Sequence, residues 1–231
     1  MTGRPPVIVI RPEPGSAATM AAGSALGLPM QVHPLFAVQP LPWTAPPPDD
    51  VDALLLGSAN APRHAGTQMT LYRGKPALCV GATTADAAQT AGLSVQATGS
   101  GGLQSLLDAQ PACPSRLLRL GGTSHVPVAP PAGVRITFVA VYAVVPQPVG
   151  ADLADVLRRP CTVLLHSADA AAHLAAEFTR LRLPRGQVTL ASLGPRISAA
   201  AGEGWRLAAD AGQPDDAALL ALAAQLCHER P

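Results

Sequence analysis

Short apolar runs, bounded by Gly, Pro or Ser, alternate along this chain with Ala- and Leu-rich windows of helical period. Runs of that length without polar alternation mark parallel strands buried on both faces. Val7–Ile10 is the first. Ser16 is placed to cap a helix to about Leu26 that would bury Ala17, Met20, Ala21 and Ala25. Gly27 ends it and Met30–Leu35 is expected as the next strand, so the opening is one βαβ unit. Pro40–Asp50, with five prolines and no period, reads as a linker.

A second series follows. Strands are expected at Ala53–Leu56, Ala77–Val80, Val95–Ala97 and Leu117–Leu120. Helices fall after Gly81, to Ala91, and after Ser100, which is placed as a cap before Leu103, Leu106 and Leu107. The connection Gly121–Gly133 holds three prolines and is not expected to be an ordinary helix. Val134–Val139 then leads into Ala140–Pro148, which carries Tyr142 and ends in prolines that cannot continue a central strand. Beyond it come a helix at Asp152–Leu157, a strand at Thr162–Leu165 and a helix at Ala168–Leu181 with Ala171, Leu174, Phe178 and Leu181 in one stripe. A strand at Val188–Ala191, a helix to about Ala201, a strand at Trp205–Ala208 and an Asp215-capped helix with Leu219, Leu222 and Leu226 complete the chain.

Internal likenesses organise these elements. DALLLGSANA from Asp52 matches CTVLLHSADA from Cys161, setting Ser58 beside Ser167 and Asn60 beside Asp169. GATTADAA from Gly81 matches GPRISAAA from Gly194. The stretch ending in Ala140–Pro148 also has a near-twin at Pro34–Pro42, which aligns Phe36 with Tyr142. Two similar α/β modules joined by two crossings account for all three. The expected division is residues 1–36 plus 147–231 for one domain and 37–146 for the other, each a parallel sheet flanked by helices.

Composition narrows the function classes. Apolar residues make up 48% and charged ones 13%, which excludes a disordered chain. Aromatics at 3% and a net charge of +1 argue against a nucleic-acid partner. Cys79, Cys113, Cys161 and Cys227 form no close pair, so neither a disulfide framework nor a metal site is expected. The first apolar run is too short for a signal-peptide core and no later run suits a membrane span, so a soluble cytoplasmic protein is expected.

In parallel α/β sheets, ligands bind beyond the carboxyl ends of the strands. The residues expected there are Ser58, Ala59 and Asn60, Thr83 and Thr84, Ser167, Ala168 and Asp169, and Gly194, Pro195 and Arg196. Each group opens a helix and so offers free N–H groups to an anion, although ordinary capping explains any one of them. Arg11, closing the first strand, is placed either to meet a carboxylate or to form a surface ion pair. Tyr142 is either a half-buried packing residue or a donor to a ligand. His166 with Asp169 lacks a third ligand for zinc. No dinucleotide, Walker or GxSxG motif is present.

The order and spacing of VIVIRP from Val7, LLLGSANA, VGATTADAAQTAG from Val80, VAVYAVVPQP, LLHSADA and LASLGPRISAAAGEG from Leu190 resemble the uroporphyrinogen-III synthase family over essentially the whole chain. The resemblance implies two HemD-like (flavodoxin-like) α/β domains joined by a two-stranded connector, a polycarboxylate substrate (the linear tetrapyrrole hydroxymethylbilane), and no cofactor or metal. It implies loss of the ring A hydroxyl as water, ring closure and inversion of ring D through a spiro intermediate. It further implies a monomer that receives substrate by transient handover from porphobilinogen deaminase. Tyr142 matches the family's cleft tyrosine and is the candidate acid or donor, Thr84 matches a threonine of a glycine-x-x-threonine turn, and Ser58 and Ser167 match strand-end serines. The departures are Ile197 and His166, where the family has threonines, and the proline-rich loop at 121–133. A catalytically idle module that binds a tetrapyrrole or other polyanion is the alternative from another class, and a solute-binding protein is a third reading.

Overall fold

The computed structural model describes residues 4–110 and 112–228 of the chain. They form two compact units: one runs to Ala37 and resumes at Val145, and the other is Val38–Val144. In the discontinuous unit, β1 (Val7–Val9), α1 (Gly15–Ala25) and β2 (Met30–Val32) come first. After the second unit come α2 (Ala151–Leu157), β3 (Cys161–Leu165), α3 (Ala168–Leu181), β4 (Val188–Ser192), α4 (Pro195–Ala201), β5 (Leu207–Asp210) and α5 (Asp216–His228). The sheet order is β5-β4-β3-β1-β2, with every neighbouring pair parallel.

The continuous unit contains β6 (Ala53–Leu56), α6 (Asn60–His64), β7 (Pro76–Val80), α7 (Ala82–Thr90), β8 (Ser94–Gly99), α8 (Gly102–Asp108), β9 (Arg116–Gly122) and β10 (Arg135–Pro146). Its parallel strands lie in the order β10-β9-β6-β7-β8. The strand β11 (Phe36–Pro40), numbered last although it follows β2 in the chain, joins at the β10 edge. Bonds from Leu41 N to Val141 O and from Gln147 N to Leu35 O make that pairing antiparallel. The two segments in which the chain passes from one unit to the other are therefore paired strands.

Counting the discontinuous unit from β3 and the continuous one from β6, both sheets have the order 3-2-1-4-5. They are circular permutants of one layout. The sequence likenesses fall on equivalent places: Ser58 and Ser167 follow the central strands β6 and β3, and the turns at Gly81 and Gly194 follow the next strands, β7 and β4.

Burial explains the strands. Leu54, Leu55 and Leu56, and Val163, Leu164 and Leu165, are fully buried. Alternate side chains serve opposite faces: Val163 and Leu165 pack with Leu174 and Phe178 of α3, whereas Leu164 packs with Leu219, Leu220 and Ala223 of α5. Leu54 and Leu56 face Ala85 and Ala88 of α7, and Leu55 faces Leu106 and Leu107 of α8. Each buried leucine contributes about 1.5–3 kcal/mol of apolar transfer.

Several local expectations are corrected. The buried side of α1 is Ser16, Thr19 and Gly23, while Ala17, Met20, Ala21 and Ala25 face outward. Docking is set by small and polar groups: a Cβ on Gly23 would lie 2.5 Å from Met30 Sδ, and the Thr19 hydroxyl donates to Asp216. Ser16 lies inside the helix rather than capping it, and Ser100 does not cap α8. The last strand is Leu207–Asp210, leaving Trp205 outside it, packed edge-on against Phe178. The proline segment before β6 is no loose linker. Trp43 stacks on Tyr72 and donates to Ala65 O at 2.7 Å, and the Tyr72 hydroxyl donates to Pro46 O at 2.7 Å.

Glu177 on α3 joins this helix to the chain after β10. Its buried carboxylate accepts from Val149 N at 2.6 Å and pairs with Arg180 at 2.6 Å. The Arg180 hydrogen bonds hold its carboxyl well below the usual value, to about 2. Such a group stabilises the fold above its unfolded pKa of 4.5 and loses that contribution as pH falls toward 2. Glu177→Gln is expected to cost about 1–3 kcal/mol at pH 7. In urea unfolding, the gap between the two proteins should narrow between pH 5 and pH 2, as expected from linkage.

Candidate functional site

Where a parallel sheet reverses its winding, the loops after adjacent strands part and leave a crevice. In the continuous unit that point lies between β6 and β9, and a cavity of about 380 Å³ opens there. Gly57 and Ser58 leave β6 on one side of it, and Leu120, Gly121 and Gly122 end β9 on the other. Leu103 and Gln104 of α8 and residues 124–128 of the proline-rich loop complete much of the wall.

Tyr142 reaches this cavity from within β10, not from a strand end, because β10 runs on to Pro146. Its ring is 8% exposed and packs among Leu56, Leu120 and Val141. Gly122 makes that position possible: a Cβ there would sit 2.7 Å from Tyr142 Cε2 and 2.9 Å from Cζ. The β9–β10 register shifts here, pairing Gly121 with Ala140 but Gly122 with Tyr142. No hydrogen bond from a described residue engages the Tyr142 hydroxyl. The His64 ring lies 6.3 Å away, centroid to centroid, and burial lowers its pKa.

Of the other expected residues in this unit, Ser58 lines the cavity, and its hydroxyl accepts from Asn60 N at 3.2 Å. Ala59 is buried and Asn60 begins the five-residue helix α6; neither lines the cavity. Thr84 is buried on the first turn of α7 and Thr83 is exposed beside it, so those two hydroxyls diverge. Gly81, which precedes them, takes a positive φ of 79° that favours glycine.

The equivalent point of the discontinuous unit, between β1 and β3, is filled by its own charges. Arg11 Nη1 donates to both Asp216 carboxylate oxygens, at 3.0 and 3.2 Å, and Asp216 also accepts from Thr19 at 2.7 Å. His166 Nε2 lies 3.1 Å from the same carboxylate. Burial, aided by Arg11, pushes the His166 pKa down to about 4, so the ring is neutral at pH 7. Arg11 is therefore half-buried in an ion pair. Ser167 caps α3, accepting from Ala170 N at 3.2 Å, with Ala168 as the first helical residue. The Gly194 turn is held by Ser192, whose hydroxyl accepts from Gly194 N and donates to Asp210 at 2.6 Å. Pro195 and Arg196, which follow, are exposed.

Sequence reasoning missed Arg119, Gly121 and Gly122. The signal was present: an arginine interrupts a run of buried leucines, and two glycines end the strand. Arg119 is 6% exposed and lines the cavity. Among the described residues, no group of His, Cys, Asp and Glu is arranged to hold a metal ion. No helix there is long and apolar enough to cross a membrane.

The family described as uroporphyrinogen-III synthase HemD matches residues 18–221. The chain belongs to this family. The family is enzymatic, and the chain shares its two-domain α/β fold. A uroporphyrinogen-III synthetase structure from Helicobacter pylori superposes with a TM-score of 0.62 at 17% identity, covering 97% of this chain and 100% of that one. A uroporphyrinogen III synthase from Thermus thermophilus gives 0.41 at 20% identity, covering 96% of each chain. No curated protein matches significantly.

The glycine pair in this family member sets a test of the site. Gly122→Ala should force the Tyr142 ring aside and cost about 1–3 kcal/mol of stability through overpacking. A crystal structure of the variant should show the ring displaced; an unmoved ring would mean that Gly122 does not set its position.

Proposed function

We propose that this protein is a uroporphyrinogen-III synthase, which cyclises hydroxymethylbilane with loss of water and inversion of ring D to give uroporphyrinogen III. The observation that carries the proposal is the family match across residues 18–221. Tyr142, which lines the cavity, supports it from the side of chemistry.

In this reading the protein acts by holding one conformation of a reactive linear tetrapyrrole, because unassisted closure gives the uninverted isomer. Tyr142 donates a hydrogen bond, or a proton directly or through water, to the departing ring A hydroxyl. The hydroxyl leaves as water and the macrocycle closes through a spiro intermediate that inverts ring D. The N–H groups that open α7 and α3, beside Thr83 and Thr84 and after Ser167, receive substrate carboxylates together with Ser58. Arg11 acts as a fixed neighbour of Asp216 unless a substrate carboxylate displaces that partner. The turn at Gly194, Pro195 and Arg196 supplies a further contact.

A coupled assay tests the reaction. Porphobilinogen and its deaminase supply the substrate, and the products are oxidised and separated by isomer. Added protein should turn the product from type I to type III; type I alone would remove the enzyme reading and leave the idle tetrapyrrole-binding module. Tyr142→Phe should lower the rate by on the order of 100-fold with little change in thermal stability. An unchanged rate would take Tyr142 out of the mechanism.

A further inference from the structure

The cavity of the continuous unit contains a cation without a counter-ion. Arg119 leaves β9 between Leu118 and Leu120, which are 0% and 1% exposed, and is itself only 6% exposed. A guanidinium has five N–H donors and cannot lose its charge under ordinary conditions. Among the described residues Arg119 makes one hydrogen bond, from Nη2 to Val126 O at 2.8 Å. None of the ion pairs among the described residues includes Arg119, and no Asp or Glu lines the cavity. The remaining compensation is the Phe138 ring, whose centroid lies 5.4 Å from Arg119 Cζ. The His125 ring lies tilted against Phe138, centroid to centroid 3.9 Å. Burial lowers the Arg119 pKa.

A buried charge is ordinarily paired, because removing it from water is costly. Even the more exposed Arg11, Arg116 and Arg180 each meet a carboxylate. Arg119, which is far more buried, departs from the rule where the protein leaves a cavity. The cavity wall adds Ser58, Ser124 and Tyr142, which can donate to an anion, and no carboxylate among the described residues lines it.

We propose that Arg119 is an anion receptor that takes one carboxylate side chain of the ligand, so that the counter-ion missing from the protein arrives with the substrate. This rests on the reading of the ligand as a polycarboxylate tetrapyrrole. A planar carboxylate matches the guanidinium fork in two parallel hydrogen bonds. The loop after β9 forms the far wall. It is clipped by Thr123 N to Tyr142 O at 3.1 Å, by Arg119 to Val126 O, and by Ala129 N to Gln104 Oε1 at 2.8 Å. A carboxylate at Arg119 thereby lies in the same cavity as Tyr142, fixing one substrate arm beside the proposed donor.

The structural alternative is that Arg119 only clips the loop. Nitrogen-15 NMR of the full chain separates the two through the Arg119 Nε–Hε resonance. Sodium propanoate is the probe, propanamide its neutral match, sodium chloride the ionic-strength control and sodium phosphate the free-anion control. The resonance should shift saturably with propanoate and move little with the others. Gln104→Ala, which loosens the loop from α8, should keep the response. In the coupled assay Arg119→Gln should raise KM by roughly tenfold or more with a much smaller change in kcat. An absent response, an equal response to propanamide or a preference for phosphate overturns the inference, as does an unchanged KM. If propanoate binds but no type III isomer forms, the synthase reading falls and the receptor stands. If type III forms without any propanoate response, the receptor falls and the synthase reading stands.

Discussion

Burial of each parallel sheet on both faces is the constraint on which the rest depends. With Leu54–Leu56 and Val163–Leu165 sealed between helices, the central strands have no polar side chain to spare. Polar chemistry comes instead from the loops at the strand ends and from the neighbouring strands, Arg119 on β9 and Tyr142 on β10, and the winding opens the carboxyl edge where β6 meets β9 and β3 meets β1. The permuted order of the two units preserves this geometry. The same strand-end serine and the same glycine-opened helix thus recur at equivalent places although the chain enters the two layouts at different points.

The units differ in how they treat that edge. In the discontinuous unit, Arg11 and Thr19 satisfy Asp216, while neutral His166 lies 3.1 Å from the same carboxylate with neither ring nitrogen hydrogen-bonded. In the continuous unit, Arg119 has only a carbonyl and an aromatic face for company beside an open cavity. Desolvation makes the second arrangement costly without a ligand, whereas in the first the Arg11 charge already meets the Asp216 carboxylate. That contrast assigns the stronger polar recognition to the cavity beside Tyr142.

The fold class was legible because two signals agreed: short apolar runs placed the strands, and the internal likenesses pointed to two similar α/β modules. α3 was read to the residue because Ala171, Leu174 and Phe178 form a wide apolar stripe with a capping Ser167. α1 was read the wrong way round because its Ala and Met positions mimic such a stripe, while Thr19 and Gly23 dock through a hydrogen bond and a close approach. The length of β10 was hidden by Pro146 and Pro148, since a proline at a strand's last residue is tolerated. At the site, Tyr142 and Ser58 were visible as rare or repeated polar residues. Arg119 was missed because one charge in a leucine run reads as an exposed edge position, and only the tertiary cavity reveals it as buried.

The central claim is that the carboxyl-edge cavity of the continuous unit, and not another surface, receives the tetrapyrrole. Backbone amide shift mapping with uroporphyrinogen III under reducing conditions tests this most directly. The account predicts that the perturbed amides include Ser58, Gly121–Val126 and Tyr142, with a second group at the turn after β7. Perturbations confined to the opposite, amino edge of the discontinuous unit, around Arg159 and Arg206, would contradict it.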